Sequence, residues 1–463
     1  MMSHRLPWAA AACVGLAAAS LLAFAEPVYD AWAWLVWGRE LTHLRFDAAT
    51  GPSWKPLTVG LAAGLSLAGD GAPALWLVLV RSAWLLSLVL AAELAHRLTA
   101  GRPPGARLAA AAFAALGLVL LSDSVTAWVR QAAGGMSEPL LVALVLGAVR
   151  VALAGRVRWA LVLGALAALL RPEAWPLLAL YGLWSWRAEP RARPLVAAIG
   201  VAVPALWLAP ELLAAGGGGA ARAQRETSDP LEALGWAAGL PLALAWPLAL
   251  PALSGRTARM LAGGALLWIA IVAAMTTIGF AGLPRFMAPA AAIVCVLAGV
   301  GLATALAGMA RRPSSVALGA LVAVAGVLTI AGLPGRVADA SHAWRAADRT
   351  AASHERLRSV VRRIGEQPLL RCGRLATSDV LVRTALAWEL GGSLSQVVSF
   401  GEPSRRSGAF VLGRGAPRRL HDDMRGAGTL LGARGEWRVY SVACPLTASS
   451  SAARTAGVTG ATR

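Results

Sequence analysis

Glu26 and Asp30 follow directly on the first apolar run of the chain. Lys55, the only lysine, closes the hydrophilic stretch they open (EPVYDAWAWLVWGRELTHLRFDAATGPSWKP). A carboxylate beside a cation can take a proton from a hydroxyl while the cation steadies a departing anion. Asp30 is therefore a candidate general base, although an Asp at this place also serves simply as a helix N-cap. In a chain that otherwise uses arginine, one lysine is either chance or a position that needs a compact ammonium. Further charges recur at apolar boundaries: Glu138 in Met136-Ser137-Glu138-Pro139-Leu140, Arg171 and Glu173 in Leu170-Arg171-Pro172-Glu173, Arg222 and Arg225 in a Gly-rich connector, and Arg285 in Leu283-Pro284-Arg285-Phe286. The plainer readings are a mutual ion pair for Glu138 and Arg171, solvated side chains for Arg222 and Arg225, and a snorkelling cation for Arg285. His43 reads as an interfacial side chain rather than a metal ligand.

The elements that must position these residues are membrane spans. The chain has 463 residues, 57% hydrophobic and only 14% charged, against roughly 25% charged in soluble domains. Apolar runs predict a mainly α, polytopic membrane protein with about eleven transmembrane helices, near 8–25, 74–96, 107–122, 138–155, 159–170, 173–186, 194–214, 231–253, 260–279, 287–309 and 314–333. The stretch 57–69 is apolar but short, which suits a re-entrant or interfacial helix. The spans meeting at Arg171-Pro172-Glu173 are also short, and a broken helix is tolerated only where it lines a cavity. The first run resembles a secretory signal, but with so many spans after it an uncleaved first helix is the better reading.

Arginines fix the expected orientation. Arg97, Arg102 and Arg107, then Arg156 and Arg158, then Arg187, Arg191 and Arg193, then Arg256 and Arg259, then Arg311 and Arg312 fall on alternate connectors. The positive-inside rule makes those loops cytoplasmic, with the N-terminus inside and the C-terminal domain outside. The net charge of +19 is thereby spent on topology and does not imply a nucleic-acid partner. Asp30, Lys55, Glu138, Arg171, Glu173, Arg222, Arg225 and Arg285 all fall on the opposite, extracytoplasmic face. The helix predicted from Asp30 to Leu41 carries Trp32, Trp34 and Trp37, either as headgroup anchors or as a stacking face for a ligand.

The expected domains are a transmembrane domain over 1–336 with its first extracytoplasmic loop at 26–56, a small extracytoplasmic α/β domain over 337–446, and a disordered Ser/Ala/Thr-rich tail over 447–463. In the second domain a polar helical stretch leads to strand-like pieces at 396–400, 409–413 and 437–443. Outside the cytoplasm, Cys372 and Cys444 are expected to form a disulfide, whereas Cys13 and Cys295 sit in apolar runs as small core residues. Gly216 to Gly219 has no strand before it and reads as a hinge, not a phosphate loop.

In order and placement, Asp30, the Lys55-Pro56-Leu57 step, a short apolar helix, Arg81-Ser82, Glu138-Pro139-Leu140 and Arg285-Phe286-Met287-Ala288-Pro289 resemble the GT-C superfamily of membrane glycosyltransferases. The pattern looks most like the branch of the protein O-mannosyltransferases and the aminoarabinose transferases of lipid A. It covers about residues 8–310 and departs in having one proline after Lys55 and a single acid at Asp30. The resemblance implies a bacterial inner-membrane enzyme of the cell envelope. It would move a sugar, with inversion, from a polyprenyl-phosphate donor to an extracytoplasmic glycan, lipid or protein acceptor. Asp30 is then the base, and Lys55, Arg285, Arg222 and Arg225 hold the donor phosphate. Glu138, Arg171, Glu173, Trp34 and Trp37 form the sugar and acceptor pocket. No nucleotide cofactor is expected, and a divalent metal, which some relatives use, is left open. Two other classes compete: a transporter or lipid flippase, and a non-catalytic envelope-assembly subunit. Charges gathered at one face and the lack of repeated halves favour an enzyme over a transporter.

Overall fold

The computed structural model describes residues 6–23, 25–45, 47, 50–120, 129, 131–213, 229–237, 240–311, 316–370, 373–400, 408–413 and 415–443. Helices dominate. Those up to residue 364 are α1 (Leu6–Ala19), α2 (Tyr29–Thr42), α3 (Pro56–Ser66), α4 (Ala72–Leu98), α5 (Pro104–Leu120), α6 (Glu138–Leu153), α7 (Val157–Ala168), α8 (Ala174–Ala188), α9 (Arg193–Leu213), α10 (Pro230–Ala237), α11 (Leu240–Ala249), α12 (Arg256–Thr276), α13 (Ala288–Arg311) and α14 (Val316–Ile364), and shorter ones follow at Glu366–Leu370, Arg383–Glu389 and Arg418–Ala427. By length and composition the segments Gly69–Leu98, Pro190–Ala209, Arg256–Thr276 and Pro284–Met309 are each able to cross a membrane alone. Leu6–Leu22, Pro56–Ser66, Pro104–Val119 and Val157–Ala168 are apolar but shorter. The expected span at 231–253 is instead two helices, α10 and α11, followed by a 3₁₀ turn at Leu250–Ser254. The expected span at 314–333 is the first part of α14, a 49-residue helix that runs on past the boundary expected at 337. Contacts divide the chain into two compact units, Met1–Asp348 and Arg349–Arg463.

Within the first unit α13 is the most buried of the candidate spans. Its central residues, Ala290 to Ala298, join α4, α5, α6, α11 and α12 in one apolar core. Small residues make that possible. A Cβ at Gly299 would run into the Ala110 carbonyl on α5, and one at Gly301 into the Leu248 carbonyl on α11. Without lipid-driven hydrophobic association, such close backbone approach is what holds membrane helices together. The short helices α7 and α8 meet at the Leu170-Arg171-Pro172-Glu173 junction. There the Leu57 amide donates to the Leu169 carbonyl at 3.2 Å, tying the Lys55-Pro56 step to that junction.

The second unit is a small α/β domain. Its sheet has the order β2-β1-β3-β5-β4, with β1 at Leu375–Thr377, β2 at Val397–Ser399, β3 at Gly408–Leu412, β4 at Gly428–Arg434 and β5 at Trp437–Val442. β1 pairs in parallel with β2 and β3, and β5 is antiparallel to β3 and β4. The three strand-like pieces of the sequence are β2, β3 and β5. β1 is too short and β4 too polar (Thr429, Arg434) to stand out by alternation. Phe410, Leu412, Leu420, Tyr440 and Val442 form the core on one side of the sheet. Cys372, Cys444, the tail 447–463, Gly216 to Gly219, Arg222 and Arg225 lie outside the described residues. Cys13 and Cys295 are buried free thiols, as their apolar surroundings imply.

Candidate functional site

Glu138 is the centre of the site. It opens α6, with Pro139 at the next position where a missing amide proton costs nothing. The turn before it depends on Gly135, whose φ of +79° suits glycine and whose Cβ would strike the Trp76 ring. Trp76 fixes that turn by donating its indole N–H to the Gly135 carbonyl at 2.8 Å. Val28, just before α2, donates its amide to the Gly134 carbonyl at 2.9 Å. Arg81 braces the same loop through the Ala133 carbonyl and reaches Ser20 on the other side, both at 2.8 Å. Two loops distant in sequence are thereby locked together at one end of α4 and α6.

Three cations converge on this carboxylate. Lys55 Nζ stands 3.8 Å from Glu138 Oε1, Arg171 Nη1 3.7 Å and Arg285 Nε 3.8 Å. Glu138 is wholly enclosed, at 0% exposure, yet neither of its oxygens reaches a hydrogen-bond partner on another described residue. The cations are held from behind. Lys55 donates to Ser137 Oγ and lies 4.8 Å from the centre of the Trp34 ring. Arg171 is clamped by Glu173, with Nε–Oε2 at 3.1 Å and Nη2–Oε1 at 2.6 Å, and its guanidinium stacks on Phe286 at 3.4 Å. Arg285 is the least constrained: its side chain is 32% exposed and its Nε has no hydrogen bond among the described residues.

Asp30 stands at the edge of this group, half-buried in the first turn of α2. Burial pushes its carboxyl above the usual carboxylate range, while Lys55 and Arg285 pull it back down and Glu138 adds to the rise. Burial likewise lowers the Lys55 ammonium to about 8, against the opposing pull of Glu138. A base with a raised pKa beside cations able to hold an anion is suited to deprotonating a hydroxyl as a negatively charged group leaves.

The helix-cap reading of Asp30 is corrected: the N-cap of α2 is Val28, so Asp30 is inside the helix and its side chain is not committed to capping. The headgroup-anchor reading of the tryptophans is corrected as well, because Trp32, Trp34 and Trp37 are buried in protein. Trp32 donates to Glu26 at 3.0 Å, and Trp34 meets Trp76 edge-on at 6.0 Å. Trp37 packs on Trp54 at 5.9 Å and donates to the Asp47 carbonyl at 3.1 Å, which ties it to the loop and not to the cation group. Glu26 precedes α2 and does not share a helical face with Asp30. Arg171 and Glu138 do pair, but as one contact among several and with Glu173 the closer partner of the arginine. Sequence reasoning quoted Ser137 and Phe286 inside motifs without giving them roles, and it passed over Trp76 and Gly135. A bulky indole facing a glycine leaves no periodic signal. Among the described residues no group of three or more His, Cys, Asp or Glu side chains gathers in a way that would hold a metal ion.

An apolar cavity of about 220 Å³ lies between α6, α7, α8, α12 and α13, lined in part by Val149, Ala160, Leu178, Leu261, Trp268 and Ile293. Trp268 donates its indole N–H to the Phe286 carbonyl at 2.8 Å, so one cavity wall is joined to the residue on which Arg171 stacks.

No family model matches the chain, and no curated protein matches it. Solved structures do. ArnT from Cupriavidus metallidurans in the apo state aligns over 92% of this chain and 96% of its own, with a TM-score of 0.53 and 16% identity. The same protein bound to undecaprenyl phosphate aligns over 96% of this chain and 100% of its own, with a TM-score of 0.53 and 17% identity. ArnT is an aminoarabinose transferase, a GT-C glycosyltransferase. Along nearly its whole length, helical membrane part and small C-terminal sheet together, the chain has the fold of ArnT.

Proposed function

We propose that this protein is an inverting glycosyltransferase that takes a sugar from a polyprenyl-phosphate donor and passes it to an extracytoplasmic glycan, lipid or protein acceptor. The observation that carries the reading is the convergence of Lys55, Arg171 and Arg285 beside the half-buried Asp30, in a chain with the fold of ArnT. A leaving phosphate needs cations that are already in place, because ordering them during the reaction would add to the barrier. Lys55 and Arg285 hold that phosphate. Asp30 takes the acceptor proton as the acceptor oxygen attacks the anomeric carbon. Glu173 fixes Arg171 at the sugar side. The apolar cavity beside Phe286 gives the first part of the prenyl chain a dry place to lie. In this reading the protein is a multi-pass inner-membrane protein with its N-terminus cytoplasmic and its C-terminal domain extracytoplasmic. Arg222 and Arg225, which the sequence puts on an extracytoplasmic connector, are assigned to the same phosphate.

The test is sugar transfer by the purified protein in proteoliposomes, with a panel of polyprenyl-phosphate sugars and wild type beside Asp30→Asn. Wild type is expected to consume one donor, and Asp30→Asn to lose about 10³-fold in rate. Because burial raises the Asp30 pKa, its charged form opposes folding at neutral pH, so the variant is expected to melt no lower than wild type. Equal donor consumption by both proteins would remove Asp30 from the chemistry.

A further inference from the structure

Glu138 presents a problem that the phosphate site alone does not solve. A site that only bound a phosphate would leave three cations facing one another when empty. Here they face a carboxylate, at 3.7–3.8 Å and not at hydrogen-bond distance. The spacing is informative because Arg171 closes to 2.6 Å on Glu173 next to it. Around Glu138, by contrast, none of the three cations comes closer than 3.7 Å. A charge in this position balances the cations without using up their N–H groups: Arg285 Nε and both Glu138 oxygens are buried and lack hydrogen bonds to other described residues.

We propose that Glu138 is a positioning residue that holds the cations in place of the donor phosphate when the site is empty, and expels the polyprenyl-phosphate product after transfer. This rests on the glycosyltransferase reading and assigns Glu138 to the phosphate, not to the sugar. The charge balance of the reaction supplies the reason. The donor is a phosphodiester with one negative charge. The acceptor oxygen attacks the anomeric carbon, its proton passes to Asp30, and the bond between that carbon and the phosphate oxygen breaks with its electron pair going to the phosphate. The product is a phosphate monoester with about −1.5 to −2 charges at neutral pH. Beside a fixed buried carboxylate the second charge is repelled, so the site that tolerates the donor ejects the product. Enclosure is what gives the repulsion its range, since a carboxylate in water would be screened.

The experiment measures equilibrium binding of undecaprenyl phosphate, and of its non-transferable methyl phosphodiester, to the whole protein in detergent, for wild type and Glu138→Gln. Glu138→Gln keeps the shape and removes the charge. The monoester is expected to bind about tenfold more tightly to the variant, with a smaller gain for the diester. In transfer assays the variant is expected to complete a first turnover in a burst and then stall as product accumulates. Weaker or unchanged monoester binding by folded Glu138→Gln overturns the proposal and makes Glu138 a structural ion-pair partner. If the variant does not fold, wild type still decides. With Glu138 charged it is expected to bind the diester at least as tightly as the monoester, whereas an uncompensated cation site prefers the dianion. Failure of wild type to bind either lipid would overturn the polyprenyl-phosphate reading itself, and this proposal with it.

Discussion

The two ends of α6 carry two buried carboxylate clusters built on opposite plans. At one end Glu93, from α4, lies 2.7 Å from Arg97 and 2.7 Å from Arg150. At the other, Glu138 has three cations near it and none closer than 3.7 Å. The same residue types give a closed pair in one place and an open cluster in the other. Glu93 and Arg97 lie one turn apart on a single helix, so their contact needs no loop geometry. The cations around Glu138 come from the α2–α3 loop, the α7–α8 junction and the turn before α13; Lys55 is held by Ser137 and Arg171 by Glu173, while Arg285 is the least constrained. A closed pair stabilises the fold, while an open one keeps its hydrogen-bonding capacity for something else.

Replacing residues at the two ends is expected to separate stability from function. Lys55→Met at the open end is expected to reduce kcat/KM for donor by about 10²- to 10³-fold with little change in Tm, measured by transfer rates and by melting in detergent. The wild-type pH profile sharpens the same point. Asp30 must be deprotonated, so the rate climbs as pH rises through its raised pKa. Lys55 must be protonated, so the rate falls above about 8. Loss of only the alkaline limb in Lys55→Arg would assign that limb to the ammonium. At the closed end, Glu93→Gln leaves Arg150 without its partner and is expected to cost roughly 3 kcal/mol of stability, with the donor Kd unchanged. A change in donor Kd without loss of stability would break the comparison.

The smallest effect is expected in the C-terminal domain. There Arg356 grips Glu436 with two bonds of 2.9 Å and, with Ser353, holds its carboxyl down to about 2. A depressed carboxylate contributes stability that is present above its unfolded pKa and is lost as pH falls through the folded one. Glu436→Gln is therefore expected to lose a little stability near neutral pH, where the partly exposed pair is fully formed, and to match wild type once the pH falls to about 2. Near-ultraviolet circular dichroism across an acid titration reads this directly.

Some of the site was legible in the chain because membrane chains leave few choices. A charged residue at the edge of an apolar run is costly unless paired or functional, so Asp30, Lys55, Glu138, Arg171, Glu173 and Arg285 stood out by type alone. Their order along the chain carried the GT-C resemblance, which the fold comparison matches. What type and order could not supply was direction. Trp32, Trp34 and Trp37 look the same on an interfacial helix as on a buried one, and only packing against Trp76, Trp54 and the Lys55 side chain shows the difference.

The sequence by itself determined that this protein is a helical membrane chain with its unusual charges on one set of connectors, because hydropathy and arginine placement are local and additive. It also marked the α/β character of the C-terminal unit through β2, β3 and β5. Only the tertiary structure decided that Lys55, Arg171 and Arg285 share one carboxylate, that this carboxylate makes no short contact with any of them, and that Arg171 belongs first to Glu173. The shared carboxylate depends on distances between residues more than 30 positions apart, set by the packing around Gly135, Trp76 and Phe286, and within that arrangement Arg171 closes on its near neighbour Glu173. No local periodicity encodes such distances, because they arise from the packing of helices that meet only after the chain has folded.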